Sequence, residues 1–201
     1  MKFNSNIAVA SILAFKVAQS VPIPSDCLTS GDPVGNFAAS GEYVDHATFI
    51  SENLDTEAVV SKVRWCVEPS AQGTLVLDTM QWFFTNPDGT EVALPRIGRE
   101  ETSDMICATD EDFEGEFDLG MIYYDSSFGI NALMFFDNEN AAEPYTIADP
   151  VGDDQVTDFL STSKFVGFYA FHGASNFIEL LGFVTADVEC AEAAWLEANP
   201  P

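Results

Sequence analysis

A strand-like pattern occurs three times along this chain at nearly equal spacing. The copies begin at residues 77, 130 and 178, which places them 53 and 48 residues apart. Each copy starts with an apolar residue, continues with a polar or acidic one, and then places apolar residues at alternate positions. This alternation is typical of a strand with one buried face. The spacing indicates one supersecondary unit built three times.

A second strand-like run and a short turn-forming segment precede each copy. The runs are residues 63–67, 121–124 and 165–171, and the turn-forming segments are 71–73, 125–127 and 172–175. Two such runs joined by a short turn predict a β-hairpin. None of the three hairpins can bury its apolar face alone, so we predict that they close around a shared threefold core. The interior side chains are then Met80, Trp82, Leu133, Phe135, Leu181 and Phe183.

Residues 1–20 have the three parts of a secretory signal peptide. Residues 1–2 form a short basic end, residues 7–15 are apolar, and residues 18–20 supply small side chains before a cleavage point. The apolar run is too short to span a bilayer, and a buried N-terminal helix is the alternative interpretation. We therefore predict a secreted, extracellular protein whose mature chain begins near Val21, with no membrane insertion.

The chain is strongly acidic. Asp and Glu number 33 against 7 Lys and Arg, which gives a formal net charge of −26 at pH 7. Such a surface repels phosphate backbones and anionic lipid, so nucleic acid is not an expected partner. A simpler interpretation is that the charge maintains solubility.

Four cysteines remain in the mature chain: Cys27, Cys66, Cys107 and Cys190. An even count in an exported protein predicts two disulfides, with three possible connectivities. A zinc site is not expected, because no two cysteines are close in sequence and the two histidines are isolated.

Metal and catalytic motifs are weak. Residues 110–115 match the first half of an EF-hand loop, but Met121 stands where the bidentate Glu belongs. Weak calcium binding there or at residues 149–158 is an open alternative to a plain acidic loop.

The chain has no nucleophile elbow and no Gly-rich phosphate loop. We predict no cofactor, no metal and no enzymatic activity, although carboxylates from distant strands could still form a glycosidase pair.

Several of these segments resemble the jacalin-related lectins. Residues 165–168 and 181–183 are similar to the final hairpin of that family, 130–138 to a middle strand, and 77–86 to an earlier one. Gly31, with the residues that follow it to position 37, is similar to the family's Gly-rich opening. The resemblance covers residues 31–187.

The resemblance implies an all-β fold, a β-prism of three four-stranded antiparallel Greek-key sheets with pseudo-threefold symmetry. The prism domain is then residues 36–188. Residues 21–35, rich in Pro, Ser, Gly and Asp, are predicted to be an extended lead-in. Residues 189–201 form a tail in which the alanines of 189–196 favour a short helix. Residues 37–187 should be almost entirely β-structure. The family fold brings the chain ends together, which implies the disulfides Cys27–Cys190 and Cys66–Cys107.

The resemblance also implies sugar binding where the Gly-rich opening meets the last hairpin loop. The family's motif is Gly-x-x-x-Asp, and alignment on Gly182 places Ser175 at the Gly position and Glu179 at the Asp position. A Glu carboxylate can still accept hydrogen bonds from vicinal hydroxyls, whereas Ser removes the freedom of Gly. The predicted carbohydrate-binding residues are Gly31, His172, Gly173, Ser175, Asn176, Phe177 and Glu179.

Chemistry alone supports part of this set, because a neutral sugar needs acceptors, backbone donors and an aromatic face. The alternative is that Phe177 belongs to the core and Glu179 is a solvated strand residue. The functional hypothesis is non-catalytic binding of glycans or polysaccharide, by a protein that could form oligomers. A structural or interaction protein of the same fold without a sugar site is the second hypothesis, and a secreted polysaccharide hydrolase is the third.

Overall fold

The computed structural model describes residues 21–35, 41–71, 73–110, 117, 119–125, 129–136, 144–148, 153–158, 162–173 and 177–200. The predicted signal peptide, residues 1–20, lies outside them. The strands are β1 (Leu28–Ser30), β2 (Val34–Gly35), β3 (Gly41–Asp45), β4 (Val59–Pro69), β5 (Leu75–Thr85), β6 (Glu91–Ala93), β7 (Ile97–Gly98), β8 (Ile106–Asp110), β9 (Leu119–Asp125), β10 (Gly129–Phe136), β11 (Tyr145–Ile147), β12 (Asp153–Asp158), β13 (Ser163–Gly173) and β14 (Ile178–Asp187). The helices are α1 (His46–Asn53) and α2 (Val188–Ala198), and a 3-10 turn spans Ser25–Cys27.

These strands form three antiparallel sheets, each built on one of the predicted hairpins. The first sheet has the order β6-β5-β4-β8, the second β11-β10-β9-β12, and the third β1-β14-β13-β3. Strand β7 pairs with β5 beside β6, and β2 pairs with β14 beside β1, so each sheet is four strands wide. In the first two sheets the last strand returns beside the first strand of the hairpin, which is a Greek key. The predicted β-prism is confirmed.

The third sheet joins the two ends of the chain. Strands β1 and β2 come from residues 21–35 and pair with β14, while β3 pairs with β13. The segment predicted as an extended lead-in therefore adds strands to this sheet. Ile23, Cys27 and Val34 are buried there.

The core contains one aromatic ring from the same position of each sequence repeat. Trp82, Phe135 and Phe183 are each the sixth residue of their copy. Ring centroids lie 5.2 Å apart for Trp82 and Phe135, and 5.9 Å for Phe135 and Phe183. Edge-to-face contacts at these distances add to the free energy gained by burying the rings. All six predicted interior residues are buried, with at most 2% of their surface exposed.

The polar second residue of each repeat lies at a β-bulge. The strand register shifts at Asp78 in the first sheet, at Asn131 in the second and at Glu179 in the third. A bulge adds one residue to one strand and changes the direction of its side chain. The polar position in the sequence pattern is therefore a structural feature of the repeat.

Helix α1 lies within residues 37–187, and the prediction of β-structure is wrong for residues 46–53. The Asp45 carboxylate caps this helix by accepting a hydrogen bond from the Ala47 N–H at 2.9 Å. Ile50 and His46 are fully buried. A single short helix interrupts the β pattern because its buried side packs against the third sheet, a tertiary contact that local sequence does not indicate.

Both predicted disulfides are present. Cys27–Cys190 joins the 3-10 turn to α2 across a sequence separation of 163, and Cys66–Cys107 joins directly opposite residues of β4 and β8. Helix α2 (Val188–Ala198) covers residues 189–196, where the sequence favours a short helix. In the described part of the chain, no helix combines the length and apolarity needed to span a membrane.

Candidate functional site

The end of the β13–β14 hairpin holds the central residue of the predicted site. The Gly173 N–H donates to the Phe177 carbonyl at 3.2 Å and closes the described part of the turn. A side chain at Gly173 would overlap the carboxylate of Glu179. The Glu179 carboxylate therefore lies against the sheet surface at Gly173, and the absence of a side chain there allows this arrangement.

Two aromatic side chains lie on the same outer face as this carboxylate. Residues two apart in a strand share a face, so Phe171 is about 7 Å along β13 from Gly173. Tyr43 on β3 is directly opposite Phe171, and their ring centroids are 4.8 Å apart. Tyr43 is 50% exposed and Phe171 is partly buried. We call Tyr43 and Phe171 the aromatic platform.

Hydrogen bonds orient the exposed ring of this platform. The Tyr43 hydroxyl donates to the Asp45 carboxylate at 3.1 Å, and the other oxygen of Asp45 caps α1. Partial burial, the hydrogen bond to Asp45 and its negative charge together raise the pKa of Tyr43. The hydroxyl is therefore protonated at neutral pH, and its oxygen can accept a further hydrogen bond.

The structure does not bring Gly31 together with Glu179. The Gly31 N–H donates to the Phe183 carbonyl at 2.9 Å, and the Gly31 carbonyl accepts a hydrogen bond from the Tyr169 hydroxyl. Glu179 is the second residue of β14 and Phe183 is the sixth. These contacts therefore attach Gly31 to the middle of the strand, away from the hairpin end. Burial, with the negative charge of Asp32 as a smaller cause, raises the pKa of Tyr169 to about 12.

Gly35 is the lead-in glycine that lies beside the hairpin end. It pairs with Leu180 and has a φ of +116°. A Cβ at this position would overlap the Glu179 carbonyl oxygen, so only glycine permits this approach. Gly35 belongs to the same Gly-rich opening as Gly31, the glycine that the family resemblance assigns to the predicted site.

The other predicted site residues divide into two groups. His172 pairs with Ile178 and with Glu42 and is partly buried, and Phe177 is also partly buried. Both therefore lie at the same end of the third sheet as Glu179. Ser175 and Asn176 lie outside the described residues. Tyr43 and Phe171 were missed because β3 and β13 are far apart in sequence.

The equivalent polar residues of the other two sheets are enclosed by the protein. Asp78 is fully buried, and Nε of Arg99 donates to its two oxygens at 3.0 and 2.9 Å. Arg99 also forms an ion pair with Glu68. Asn131 is fully buried as well. Of the three bulge residues, Glu179 alone has a partly exposed side chain.

Cys66, Glu101 and Cys107 are the group of possible metal ligands found among the described residues. Both cysteines are in the Cys66–Cys107 disulfide, so their sulfurs do not offer thiolate ligands. This group is therefore not a metal centre.

Solved structures with the same architecture identify the fold. A mannose-specific jacalin-related lectin from Morus nigra, solved in complex with mannose, is similar with a TM-score of 0.53 and 13% identity, over 85% of this chain and 97% of the lectin. The fold is the jacalin-type β-prism. The Calystegia sepium agglutinin is also similar, with a TM-score of 0.52 and 13% identity, over 79% of this chain and 96% of that protein.

The same prism occurs within a longer protein. PirB is similar with a TM-score of 0.55 and 10% identity, over 80% of this chain. This chain spans 38% of PirB and 45% of a lamprey immune protein. No family model and no curated protein sequence matches the chain.

Proposed function

We propose that this chain is a secreted, non-catalytic carbohydrate-binding protein whose site is the outer surface at the end of the β13–β14 hairpin. The observation that carries the proposal is the position of the Glu179 carboxylate, which lies over Gly173 on the face that also bears the aromatic platform. Acceptor groups beside an aromatic face are the combination that a neutral sugar requires.

Each residue has a distinct role in this proposal. Glu179 accepts hydrogen bonds from vicinal hydroxyls, and the exposed ring of Tyr43 packs against the apolar side of a sugar ring. Gly35 and Gly173 permit the close approach of backbone and carboxylate. Phe177 lies at the hairpin end beside the site, and the backbone of His172 continues β13 there, although strand alternation turns the His172 side chain to the opposite face. Ser175 and Asn176 are proposed sugar contacts on the sequence motif alone, and Gly31 holds the lead-in in place.

The ligand class follows from charge and from the structural neighbours. A protein with a net charge of −26 repels sulfated and other anionic glycans, so neutral glycans are the expected ligands. The Morus nigra lectin was solved with mannose, and Calsepa lectin, a further structural neighbour, with a biantennary N-glycan. Mannose-containing glycans are therefore the first ligands to test.

A glycan array probed with residues 21–201 tests the proposal. Binding to neutral glycans supports it. An array on which nothing binds contradicts it and favours a structural or interaction protein of the same fold. Turnover of a polysaccharide substrate by the same preparation would instead indicate a hydrolase.

Two substitutions at Tyr43 test the aromatic platform. Tyr43→Ala removes the ring, and we expect affinity for a bound oligosaccharide to fall by about tenfold, the order of a buried aromatic contact. Tyr43→Phe keeps the ring and should retain most of the affinity. Ile106→Ala, at an exposed position of the first sheet, is the control. Equal affinities for Tyr43→Ala and the control would remove the platform from the site.

A further inference from the structure

A buried carboxylate lies beside the backbone nitrogen of Val21. Asp55 is 2% exposed, and its Oδ2 accepts a hydrogen bond from the Val21 nitrogen at 2.8 Å. Its Oδ1 accepts one from the Glu57 N–H at 2.9 Å. The sequence predicts that the mature chain begins near Val21.

The position of the Val21 nitrogen is fixed from both sides. The Ile23 N–H donates to the Leu54 carbonyl at 2.9 Å, and the Thr56 N–H donates to the Val21 carbonyl at 3.1 Å. The Asp55 N–H donates to Oδ1 of Asn86 at 3.0 Å, which holds the turn that carries the carboxylate. These hydrogen bonds fix both the segment at Val21 and the turn at Asp55, and so hold the Val21 nitrogen within hydrogen-bonding distance of the carboxylate.

We infer that signal peptidase cleaves the Ser20–Val21 bond and that the new α-ammonium group of Val21 forms an ion pair with Asp55, which stabilises the mature fold. In this hydrolysis water adds its hydroxyl to the Ser20 carbonyl carbon and a proton to the Val21 nitrogen. The Val21 amine takes up a second proton, and the new Ser20 carboxyl group loses one. The inference does not depend on sugar binding.

Cleavage changes the donor that faces the carboxylate. Before cleavage Val21 offers a neutral amide N–H, and afterwards it offers a charged group with three N–H donors. Charge-assisted hydrogen bonds are about twice as strong as neutral ones, so the hydrogen bond from Val21 to Asp55 becomes stronger on cleavage. Two other charged side chains, Glu57 and Lys164, lie nearby. The Nζ of Lys164 donates to the carbonyls of Thr56 and Ala58. The fold therefore gains this stabilisation only after the leader has been removed.

Thermal unfolding of matched chains tests the ion pair. The first chain begins with a free Val21 amine, the second is identical but Nα-acetylated at Val21, and the third carries Gly-Ser before Val21. We expect the free-amine chain to melt about 2–4 °C above the other two. Asp55→Asn should abolish the difference, whereas Asp26→Asn, an exposed acid of the same segment, should preserve it.

Several results would overturn the inference. One is equal melting temperatures for the free-amine and acetylated chains, a comparison that needs no substitution. Another is a difference in melting temperature between these two chains that persists when both carry Asp55→Asn. N-terminal sequencing of the protein exported from a secreting host should begin at Val21, and any other first residue also contradicts the assignment.

Discussion

His46 shows how a residue that looked uninformative in the sequence is bound into the fold. Its Nε2 lies 2.8 Å from the Pro95 carbonyl, and its Nδ1 lies 3.2 Å from the Phe168 nitrogen. Nδ1 must accept from the Phe168 N–H, so Nε2 carries the proton and donates to Pro95. Burial lowers the pKa of His46 to about 4, although the Pro95 hydrogen bond and the Asp45 charge act in the opposite direction.

The depressed pKa predicts that acid destabilises the fold through His46. The unfolded chain binds this proton with a pKa near 6.5, so its contribution to stability is complete above that pH and is lost as the pH falls toward 4. The loss amounts to about 3 kcal/mol. Urea unfolding of wild type and His46→Gln between pH 7 and 4 measures it. The gap between the two proteins should narrow as pH falls, and a constant gap would contradict the pKa assignment.

The three sheets share a backbone position with positive φ. Gly98 pairs with Thr79 in the first sheet, and Gly35 pairs with Leu180 in the third. In the second sheet Ile147 pairs with Leu133, so the next residue, Ala148, lies beside Ala132. Ala132 is the third residue of its repeat, as Thr79 and Leu180 are of theirs. Their φ angles are +93°, +116° and +64°. The second sheet therefore holds a residue with a side chain where the other two have glycine.

This symmetry predicts opposite effects for two reciprocal substitutions. Gly98→Ala should lower the free energy of unfolding by about 2 kcal/mol or more, because the new Cβ would overlap the Asp78 carbonyl oxygen. Ala148→Gly should leave it unchanged or raise it by up to about 1.5 kcal/mol. Relief of about 1–2 kcal/mol of left-handed strain outweighs the added freedom of the unfolded chain, about 0.4–1 kcal/mol. Urea unfolding at pH 7 compares both with wild type. Clear destabilisation by Ala148→Gly would contradict the equivalence.

The sequence predicted the elements whose signals are local or repeated. The hairpins and the six interior residues follow from alternation, which is a property of neighbouring residues. Helix α1 and the bulges were missed, because a bulge is set by the register between two strands. The sequence shows a polar residue at the second position of each repeat, such as Asp78. It does not show that this position is a β-bulge.

At the scale of the whole molecule, the missing information is long-range pairing. The third sheet unites residues from both ends of the chain, so the contact of Tyr43 with Phe171 cannot be inferred from either segment alone. The resemblance to a known family supplied the closeness of the chain ends and hence both disulfides. It also placed Glu179 at the hairpin end, where the structure pairs Gly35 with the neighbouring Leu180, whereas Gly31 contacts Phe183 further along β14.

The proposed function depends on a sugar binding through Glu179 on the outer face of the third sheet. Titration calorimetry of wild type and Glu179→Ala, with mannose, galactose and short oligosaccharides, measures that contribution. A carboxylate that accepts hydrogen bonds contributes about 1.5–3 kcal/mol, so Glu179→Ala should weaken binding by roughly tenfold to more than a hundredfold. Unfolding curves of the two proteins should coincide, which shows that the fold is intact. Equal affinity of wild type and Glu179→Ala for the same sugar would show that the sugar does not bind through Glu179.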